Sequence, residues 1–310
     1  EEGDSRGATF LNRIITFTDG KVRKCDVEAD SRHAEVIIAE LGLQNSNGLD
    51  APALKLSAEK QSQDSQAPLL DKVRCVQYRS LTMRGAYLAQ DRIDINEATK
   101  TLARDMKTPR ESSWERLVRL GKYLVKHKSL SRTFEEQQLP EKIRTMVDSD
   151  HAGCAVTRKS TTGMVSKLGK HTVKHSCNLQ STIGLSSGES EFYALVKGFA
   201  TVLGMQSLLA DWGFAFAAEV ASDSSAARGH VQRRGLGKAR HIQTRYLWIQ
   251  ERVGEGHVKI VAVPGKINDS DILTKSVSGA GIRRALLRLG FNVKDKSLLQ
   301  KETKVMATLH

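Results

Sequence analysis

Cysteine is scarce in this chain, with four residues in 310. They lie far apart and form no Cys-x-x-Cys motif or zinc-spaced cluster with histidine, at Cys25, Cys75, Cys154 and Cys177. This argues against a structural zinc site and is typical of reduced thiols in an intracellular protein. Long hydrophobic runs are also missing, since no segment approaches the roughly 18 apolar residues of a membrane span. No signal peptide is visible. The sequence therefore predicts no membrane contact.

Acidic residues are outnumbered, with 35 Asp and Glu against 48 Lys and Arg, a net charge of +13. The sequence pI is near 9.6. Such an excess indicates a polyanionic partner, most often nucleic acid. An ordinary basic soluble protein is the alternative.

The length of 310 residues allows two domains with cores of their own. In the first half, residues 10–17 have a strand pattern that leads into a turn at Asp19-Gly20, and 31–43 have a helix pattern. Residues 50–70 are polar and predict a linker. Residues 71–128 predict helices, one with a cationic face beside its apolar stripe. The cations on this helix face are Arg116, Arg119, Lys122 and Lys126. They either contact phosphate groups or only form a solvated face.

Four acids in the second half each lie at the boundary of a predicted element. Asp148 ends an apolar strand, Glu191 lies near the start of a long helix, Asp223 ends a strand and Asp271 opens a helix. The predicted order is three hairpin-type strands, then helix, strand, helices, strand and helix. The boundaries predicted within it are a strand–strand turn at Gly169, the end of the long helix at Gly213 and a later helix over residues 242–253. This order indicates an α/β sheet with mixed strand directions. Catalytic groups gather where strand ends meet helix starts in such sheets, so we expect the four acids to converge.

The motifs around these acids resemble a known family. The runs VDSDHAGCAVTRKSTTGMV, LSSGESEFYALVKG, ASDSSAA, ARHIQTRYLWIQERV and NDSDILTK follow in this order. They resemble the ribonuclease H domain of copia-type long-terminal-repeat retrotransposon Pol polyproteins. The resemblance implies a ribonuclease H-like mixed β-sheet with flanking helices over residues 143–275. It also implies metal ligands at Asp148, Glu191, Asp223 and Asp271.

The resemblance implies a ribonuclease H that cuts the RNA strand of RNA:DNA hybrids during reverse transcription. Crowded carboxylates need divalent cations to neutralise them, and oxygen ligands favour two Mg²⁺ or Mn²⁺ ions. The expected partners are the RNA:DNA hybrid and the rest of the Pol polyprotein. The expected location is intracellular and cytoplasmic, with virus-like particles as one setting.

Upstream, YRSLTMRGAYLAQDRIDINEATKTLARDM and PRESSWERLVRLGKYL resemble the end of the reverse transcriptase in the same polyproteins. Residues 1–128 are thus expected to be a smaller, mostly helical α+β region like a polymerase thumb or connection. The chain contains no Asp-Asp dipeptide, the acid pair of a polymerase palm, so no polymerase activity is expected. Residues 129–142 are predicted to be a connector. Residues 276–310 are predicted to form a basic helical tail.

Several further residues are candidates with open alternatives. Arg158 and Lys159 are expected to contact phosphate. His241 could meet nucleic acid or metal-bound water, or act as a packing or capping histidine. Asp150 is a spare acid or a group that supports the site, and Glu189 is interpreted as an acid that offsets the helix dipole.

Two other functions compete with the nuclease. One is an inactive, transposon-derived remnant that only binds nucleic acid. The other is an integrase or resolvase relative, which would need the glutamate last among its acids. Here the glutamate is the second of the four acids, which disfavours that alternative.

Overall fold

The computed structural model describes residues 5–154, 156–237 and 239–292. The chain begins with three antiparallel strands, β1 (Ser5–Phe10), β2 (Arg13–Thr18) and β3 (Lys24–Glu28). The strand predicted over residues 10–17 is confirmed from Arg13 onward as β2, and the predicted turn at Asp19-Gly20 lies between β2 and β3, so only the start of the predicted strand is wrong. A two-residue turn at Leu11 and Asn12, with φ of 48° and 62°, divides it into a hairpin. Positive φ at both central residues matches the twist of hairpin strands.

Five helices follow the hairpin. They are α1 (Ser31–Glu40), α2 (Ala58–Gln66), α3 (Lys72–Leu88), α4 (Ile93–Arg104) and α5 (Glu111–Lys126). Ile37, Tyr78, Leu81, Leu117 and Leu124 are fully buried and form the centre of their shared core. The polar linker predicted over residues 50–70 is wrong in part, because α2 lies within it.

The segment predicted as a connector contains β4 (Ser131–Glu135), which pairs with β3. A two-residue strand near the other end of the chain, β10 (Phe291–Asn292), pairs with the free edge of β4. The first sheet therefore has the order β1-β2-β3-β4-β10. Along the chain, helix α9 (Gly279–Arg288) directly precedes β10. Its residues Ile282, Ala285 and Leu286 are buried. The predicted tail is thus packed up to Asn292, while residues 293–310 lie outside the described residues.

The second sheet has five strands in the order β7-β6-β5-β8-β9. They are β5 (Lys142–Ser149), β6 (Thr161–Leu168), β7 (His171–Leu179), β8 (Ala217–Ser222) and β9 (Val258–Ala262). β5, β6 and β7 are antiparallel neighbours, whereas β8 and β9 run parallel to β5. The predicted turn between β6 and β7 is confirmed at Gly169, whose φ is 59°. This mixed sheet with helices across it is the ribonuclease H-like arrangement that the motifs predicted.

Three helices complete this half, namely α6 (Ser187–Asp211), α7 (Ser225–Gln232) and α8 (Trp248–Gly254). α6 ends at Gly213, as predicted, and that glycine has a φ of 84°. The helix predicted over residues 242–253 begins later, because residues 244–246 form a separate 3₁₀ turn.

By length and composition alone, α6 is apolar enough to cross a membrane, since one window has a mean hydropathy of 1.3. The sequence had led us to expect no such segment. Four of its side chains are fully buried in the core against the sheet, namely Phe192, Leu195, Phe199 and Val202. In total, 33% of the residues in that window are buried.

Candidate metal centre

Two of the four predicted acids lie at one edge of the second sheet. Asp148 is the penultimate residue of β5, and Asp223 directly follows β8. β5 and β8 are adjacent and parallel, so their carboxyl ends meet at the same edge. Glu191, in the first part of α6, reaches the same edge because α6 packs across β5 and β8.

The three carboxylates converge closely. One oxygen each of Asp148, Glu191 and Asp223 lies within 4.8 Å of the others. Asp148 and Glu191 are buried, and Asp223 is half-buried. Three acids from separate strands and a helix therefore share one small space.

Asp271 reaches this edge from a short 3₁₀ helix, Asp269–Leu273, on the sheet face opposite α6. Lys275 links it to the group, because its Nζ lies 3.1 Å from Asp271 Oδ1 and 3.4 Å from Asp148 Oδ2. Asp271 is thus placed at the margin of the three-acid group, with a lysine between it and Asp148.

The electrostatics of the site show crowding of like charge. Burial, followed by the negative charge of Asp148, raises the pKa of Glu191 to about 8. Burial and the charge of Asp148 also raise the pKa of Asp271 to about 6, although Lys275 opposes the shift. Both carboxyl groups thus resist ionisation unless a positive charge joins them.

The donor set fits a hard divalent cation. All candidate ligands are carboxylate oxygens, which Mg²⁺ and Mn²⁺ prefer over zinc. Glu191 Oε1 accepts a hydrogen bond from the Ser149 N–H at 3.1 Å. Glu191 Oε2 is buried and has no hydrogen-bond partner among the described residues. A buried carboxylate oxygen without a partner is costly, and a bound cation would remove that cost.

Several supporting residues were not found by sequence reasoning. The Thr274 hydroxyl donates to Asp148 Oδ2, and Asn268 Nδ2 donates to the Val147 carbonyl at 3.0 Å. Gly163 lets this segment approach β6, because a Cβ there would lie 2.7 Å from the Ser270 carbonyl oxygen. Thr274, Lys275 and Asn268 all belong to the NDSDILTK motif, so their presence beside Asp271 was the available signal.

Asp150 and His151 do not join the three-acid group. The Asp150 carboxylate accepts the backbone N–H of Thr161 and so closes the turn between β5 and β6. His151 Nδ1 lies 3.4 Å from the Ser190 hydroxyl. Asp150 is therefore a turn residue that fixes the start of β6.

Glu189 and His241 form a pair on the side of α6 that faces the following loop. His241 Nε2 lies 2.8 Å from Glu189 Oε2, and Tyr193 donates to Glu189 Oε1 at 2.6 Å. Burial opposes ionisation of Glu189, but these hydrogen bonds outweigh it and lower its pKa. His241 is exposed, so its contact with nucleic acid or metal-bound water stays a prediction beside its pairing with Glu189. The pair fastens the loop before α8 to the start of α6.

The predicted phosphate contacts differ in placement. Arg158 is exposed in the loop between β5 and β6, with a φ of 55°, and its neighbour Lys159 is half-buried. Their loop directly follows the strand that carries Asp148. Contact of Arg158 and Lys159 with phosphate stays a prediction.

The cationic face of α5 is not a row of free charges. Arg116 donates to Asp64 at 2.7 Å and to Asp105 at 2.6 Å, and Lys126 Nζ lies 2.9 Å from Asp50. Lys126 faces solvent as expected but pairs with Asp50, whereas Arg116 is half-buried between two carboxylates and does not face solvent freely. Arg119 and Lys122 are half-buried, and their contact with nucleic acid stays a prediction.

No protein-family model matches the chain. Over 261 residues the chain is 23% identical to the retrovirus-related Pol polyprotein from transposon TNT 1-94 of Nicotiana tabacum, covering 80% of this chain and 19% of the polyprotein. Over 221 residues it is 24% identical to the retrovirus-related Pol polyprotein from transposon RE2 of Arabidopsis thaliana, covering 69% of this chain and 15% of that polyprotein. An uncharacterized mitochondrial protein of Arabidopsis thaliana is 28% identical over 168 residues, covering 54% of this chain and 67% of that protein. The chain spans about a fifth of the length of the tobacco polyprotein.

Two solved structures show low overall similarity. LC11-RNase H1, isolated from compost by a metagenomic approach, is 19% identical with a TM-score of 0.32, covering 47% of this chain and 99% of that chain. RNase H1 from the halophilic archaeon Halobacterium salinarum is 16% identical with a TM-score of 0.30, covering 47% of this chain and 97% of that chain. The sequence matches agree with the resemblance that the motif order indicated, because the chain is similar to retrovirus-related Pol polyproteins from tobacco and Arabidopsis transposons.

Proposed function

We propose that this chain is a divalent-metal-dependent endonuclease that hydrolyses the RNA strand of RNA:DNA hybrids during retrotransposon reverse transcription. The observation that carries the proposal is the convergence of three carboxylates within 4.8 Å, with a buried Glu191 oxygen that lacks a partner among the described residues. The motif order and the polyprotein relatives support the substrate class.

Asp148, Glu191 and Asp223 would hold the cation, with Asp271 available at the margin of the group. When bound, two divalent ions supply an activated water and stabilise the oxygen that leaves the phosphodiester. The chain itself fixes the ligands: the Ser149 N–H orients Glu191, and Thr274 orients Asp148. Such orienting hydrogen bonds usually matter nearly as much as the ligands themselves.

Lys275 gives the site a cation of its own. Its ammonium group contacts both Asp148 and Asp271, and the side chain is half-exposed. It therefore offsets part of the repulsion before metal enters and competes with metal for the same oxygens. We infer that Lys275 stabilises the metal-free site.

The substrate polyanion would meet cations close to the acids. The loop after α7 is fastened to the start of α6 by the His241–Glu189 contact. Its exposed arginines within the described part of the chain are Arg233, Arg234, Arg240 and Arg245. Together with Arg158, whose loop directly follows β5, they add exposed positive charge to this half of the chain. Charge of this kind supports salt-dependent binding of a phosphate backbone, and contacts to 2′-hydroxyl groups would distinguish RNA from DNA.

A cleavage assay with an end-labelled RNA:DNA hybrid and Mg²⁺ tests the proposal. We expect endonucleolytic products from the RNA strand, none from a DNA duplex, and loss of cleavage in Asp148→Asn and Glu191→Gln. Asp150→Asn is a matched control, because Asp150 lies two residues from Asp148 but binds the Thr161 N–H. Its amide oxygen can still accept that bond, so its cleavage rate should remain close to that of the unchanged protein.

The competing function, an inactive remnant, makes a different prediction. It would bind the hybrid in a salt-sensitive manner and leave the RNA intact in both Mg²⁺ and Mn²⁺. That result would refute the nuclease proposal. Equal cleavage by the unchanged protein and Asp148→Asn would refute the assignment of the site.

A further inference from the structure

Helix α3 has two apolar faces. One face packs into the core of the helical region through Tyr78, Leu81, Gly85 and Leu88. The other is exposed, although it is also largely apolar. Its exposed fractions are 79% for Val73, 66% for Val76, 54% for Met83 and 37% for Tyr87. A soluble surface helix normally presents polar residues on the face opposite its core stripe.

The exposed residues follow the spacing of a helix–helix contact. Positions 73, 76, 80, 83 and 87 are separated by alternating steps of three and four, which is the spacing of core positions in a coiled coil. They cover the helix from its first turn to its last. Ser80 is the single polar residue among them, and a polar residue at one such position commonly fixes the register of paired helices. We call residues 73, 76, 80, 83 and 87 the α3 stripe.

The charges beside the α3 stripe are all positive. The flanking positions of the heptad hold Lys72, Gln77, Arg79, Arg84 and Ala86, three cations and no acid. Arg79 donates only to the Met106 and Lys107 carbonyl groups, at 2.7 and 3.2 Å, so its charge is not neutralised there. Opposite charges at these positions determine which helices pair.

This charge pattern disfavours two occupants. A second copy of α3 would set cations against cations on both flanks of the contact. The chain's own segment 293–310 carries four lysines and two acids, so it is also basic. Like charges along a helical seam oppose pairing. The charges beside the α3 stripe therefore favour a partner helix that carries Asp or Glu at its flanking positions.

We propose that the α3 stripe binds an amphipathic helix of another polypeptide, with apolar residues at three-four spacing and Asp or Glu beside them. The contact is separate from the acidic edge that carries Asp148. It would hold a partner protein on the helical region while the carboxylate site remains free. The proposal does not depend on nuclease activity.

Binding of two synthetic helices to the whole chain tests this proposal by fluorescence anisotropy. Both peptides are about three heptads long with leucine at the core positions, and they differ in carrying Glu or Lys at the flanking positions. We expect the Glu peptide to bind about tenfold more tightly than the Lys peptide at low salt, with the difference shrinking at about 1 M salt. Val76→Glu with Met83→Glu should abolish binding.

Leu208→Glu is the matched control, because Leu208 is 50% exposed on α6, away from the α3 stripe. It should leave peptide binding unchanged. The charge reversal Lys72→Glu with Arg79→Glu should weaken the Glu peptide and strengthen the Lys peptide. Circular dichroism of each variant shows whether its fold is retained, and the reversal variant keeps the test decisive if Val76→Glu with Met83→Glu does not fold.

Three results would overturn the proposal. The first is that the two peptides bind equally well, or that neither peptide binds. The second is self-association in sedimentation that Val76→Glu with Met83→Glu removes, since a second copy would then be the occupant. The third is weaker RNA:DNA hybrid binding in that variant without any peptide binding, since nucleic acid would then cover the stripe.

Discussion

A group of buried charge in the helical region and the carboxylate site in the second half of the chain differ in how completely their hydrogen bonds are satisfied. In the helical region, Arg92 and Asp94 have side chains only 1% exposed. Arg92 donates twice to Asp94, at 2.9 and 2.7 Å, and also to the His127 carbonyl at 2.9 Å. Tyr123 adds a hydrogen bond to Asp94 at 2.7 Å.

The carboxylate site has the opposite character. Asp148 and Glu191 are buried like Asp94, yet they face another acid and one Glu191 oxygen has no partner among the described residues. Burial disfavours the ionised form of Asp94, but the charge of Arg92 and the hydrogen bonds from Arg92 and Tyr123 together outweigh it and lower the pKa of Asp94. Burial and like charge instead raise the pKa of Glu191 to about 8. Buried charge that is compensated holds a structure together, whereas buried charge left uncompensated indicates a place for a ligand.

The largest effect should come from Asp223→Asn. It removes one of three ligands, so we expect cleavage of an RNA:DNA hybrid to fall by at least about 10²-fold to 10³-fold. Because it also removes a like charge, the metal-free protein should unfold at the same or a higher temperature. Differential scanning calorimetry in EDTA measures this second effect. Loss of activity together with a large loss of stability would contradict the comparison.

Arg92→Met should act in the reverse sense. It leaves Asp94 buried without its cation, so the free energy of unfolding should fall by about 3–5 kcal/mol. Chemical denaturation followed by circular dichroism measures the change. The double change Arg92→Met with Asp94→Leu should recover part of the loss, because no unpaired charge then remains. A double variant less stable than Arg92→Met would show that the ion pair is not the cause.

The next effect is a pH dependence of the metal-free protein. The raised pKa of Glu191 means that its contribution to stability is complete below its unfolded pKa and is lost as pH rises towards about 8. When the pH is raised from about 5 to about 8, the melting temperature of both proteins should fall. The fall should be about 5 °C smaller for Glu191→Gln than for the unchanged protein. Thermal melts in EDTA test this. Parallel pH profiles for the two proteins would exclude the ionisation of Glu191 as the source.

The smallest effect should come from Lys275→Met. This change removes a competing cation while keeping an unbranched side chain of similar size, so the affinity for Mn²⁺ should rise by about twofold to fivefold. Isothermal titration calorimetry without nucleic acid measures it. Lys266→Met is the control, because Lys266 is an exposed lysine near this edge for which the structure shows no ion pair among the described residues. Weaker binding after Lys275→Met would show that the lysine supports the metal site.

The sequence predicted the site better than it predicted the surroundings. Asp148, Glu191 and Asp223 could be found because each ends or begins a regular element, and parallel strands bring such positions to one edge. The placement of Asp271 beside Lys275 could not be derived from periodicity, since their segment is a 3₁₀ helix on the far face of the sheet. The ion pairs of Arg116 were also hidden, because Asp64 and Asp105 lie 52 and 11 residues away.

The fold was predicted where signals are local. Gly169 and Gly213 have positive φ and mark ends of elements, so the β6–β7 turn and the end of α6 were found. β10 has two residues and no pattern of its own, and it forms only because β4 offers a free edge. Helix α2 is polar along its whole length and starts at a Ser57 cap, which the composition of the segment concealed.

The pairing of β10 with β4 has a consequence for how the chain is divided. β4 ends at Glu135 and β10 begins at Phe291, so the whole second sheet is inserted between two neighbouring strands of the first sheet. The N-terminal region is therefore discontinuous, and it regains its last strand only after the second sheet has been synthesised. A cut on either side of the insertion would leave an open strand edge, which invites aggregation. The two halves of the chain are better understood as one interlocked unit than as modules joined by a tether.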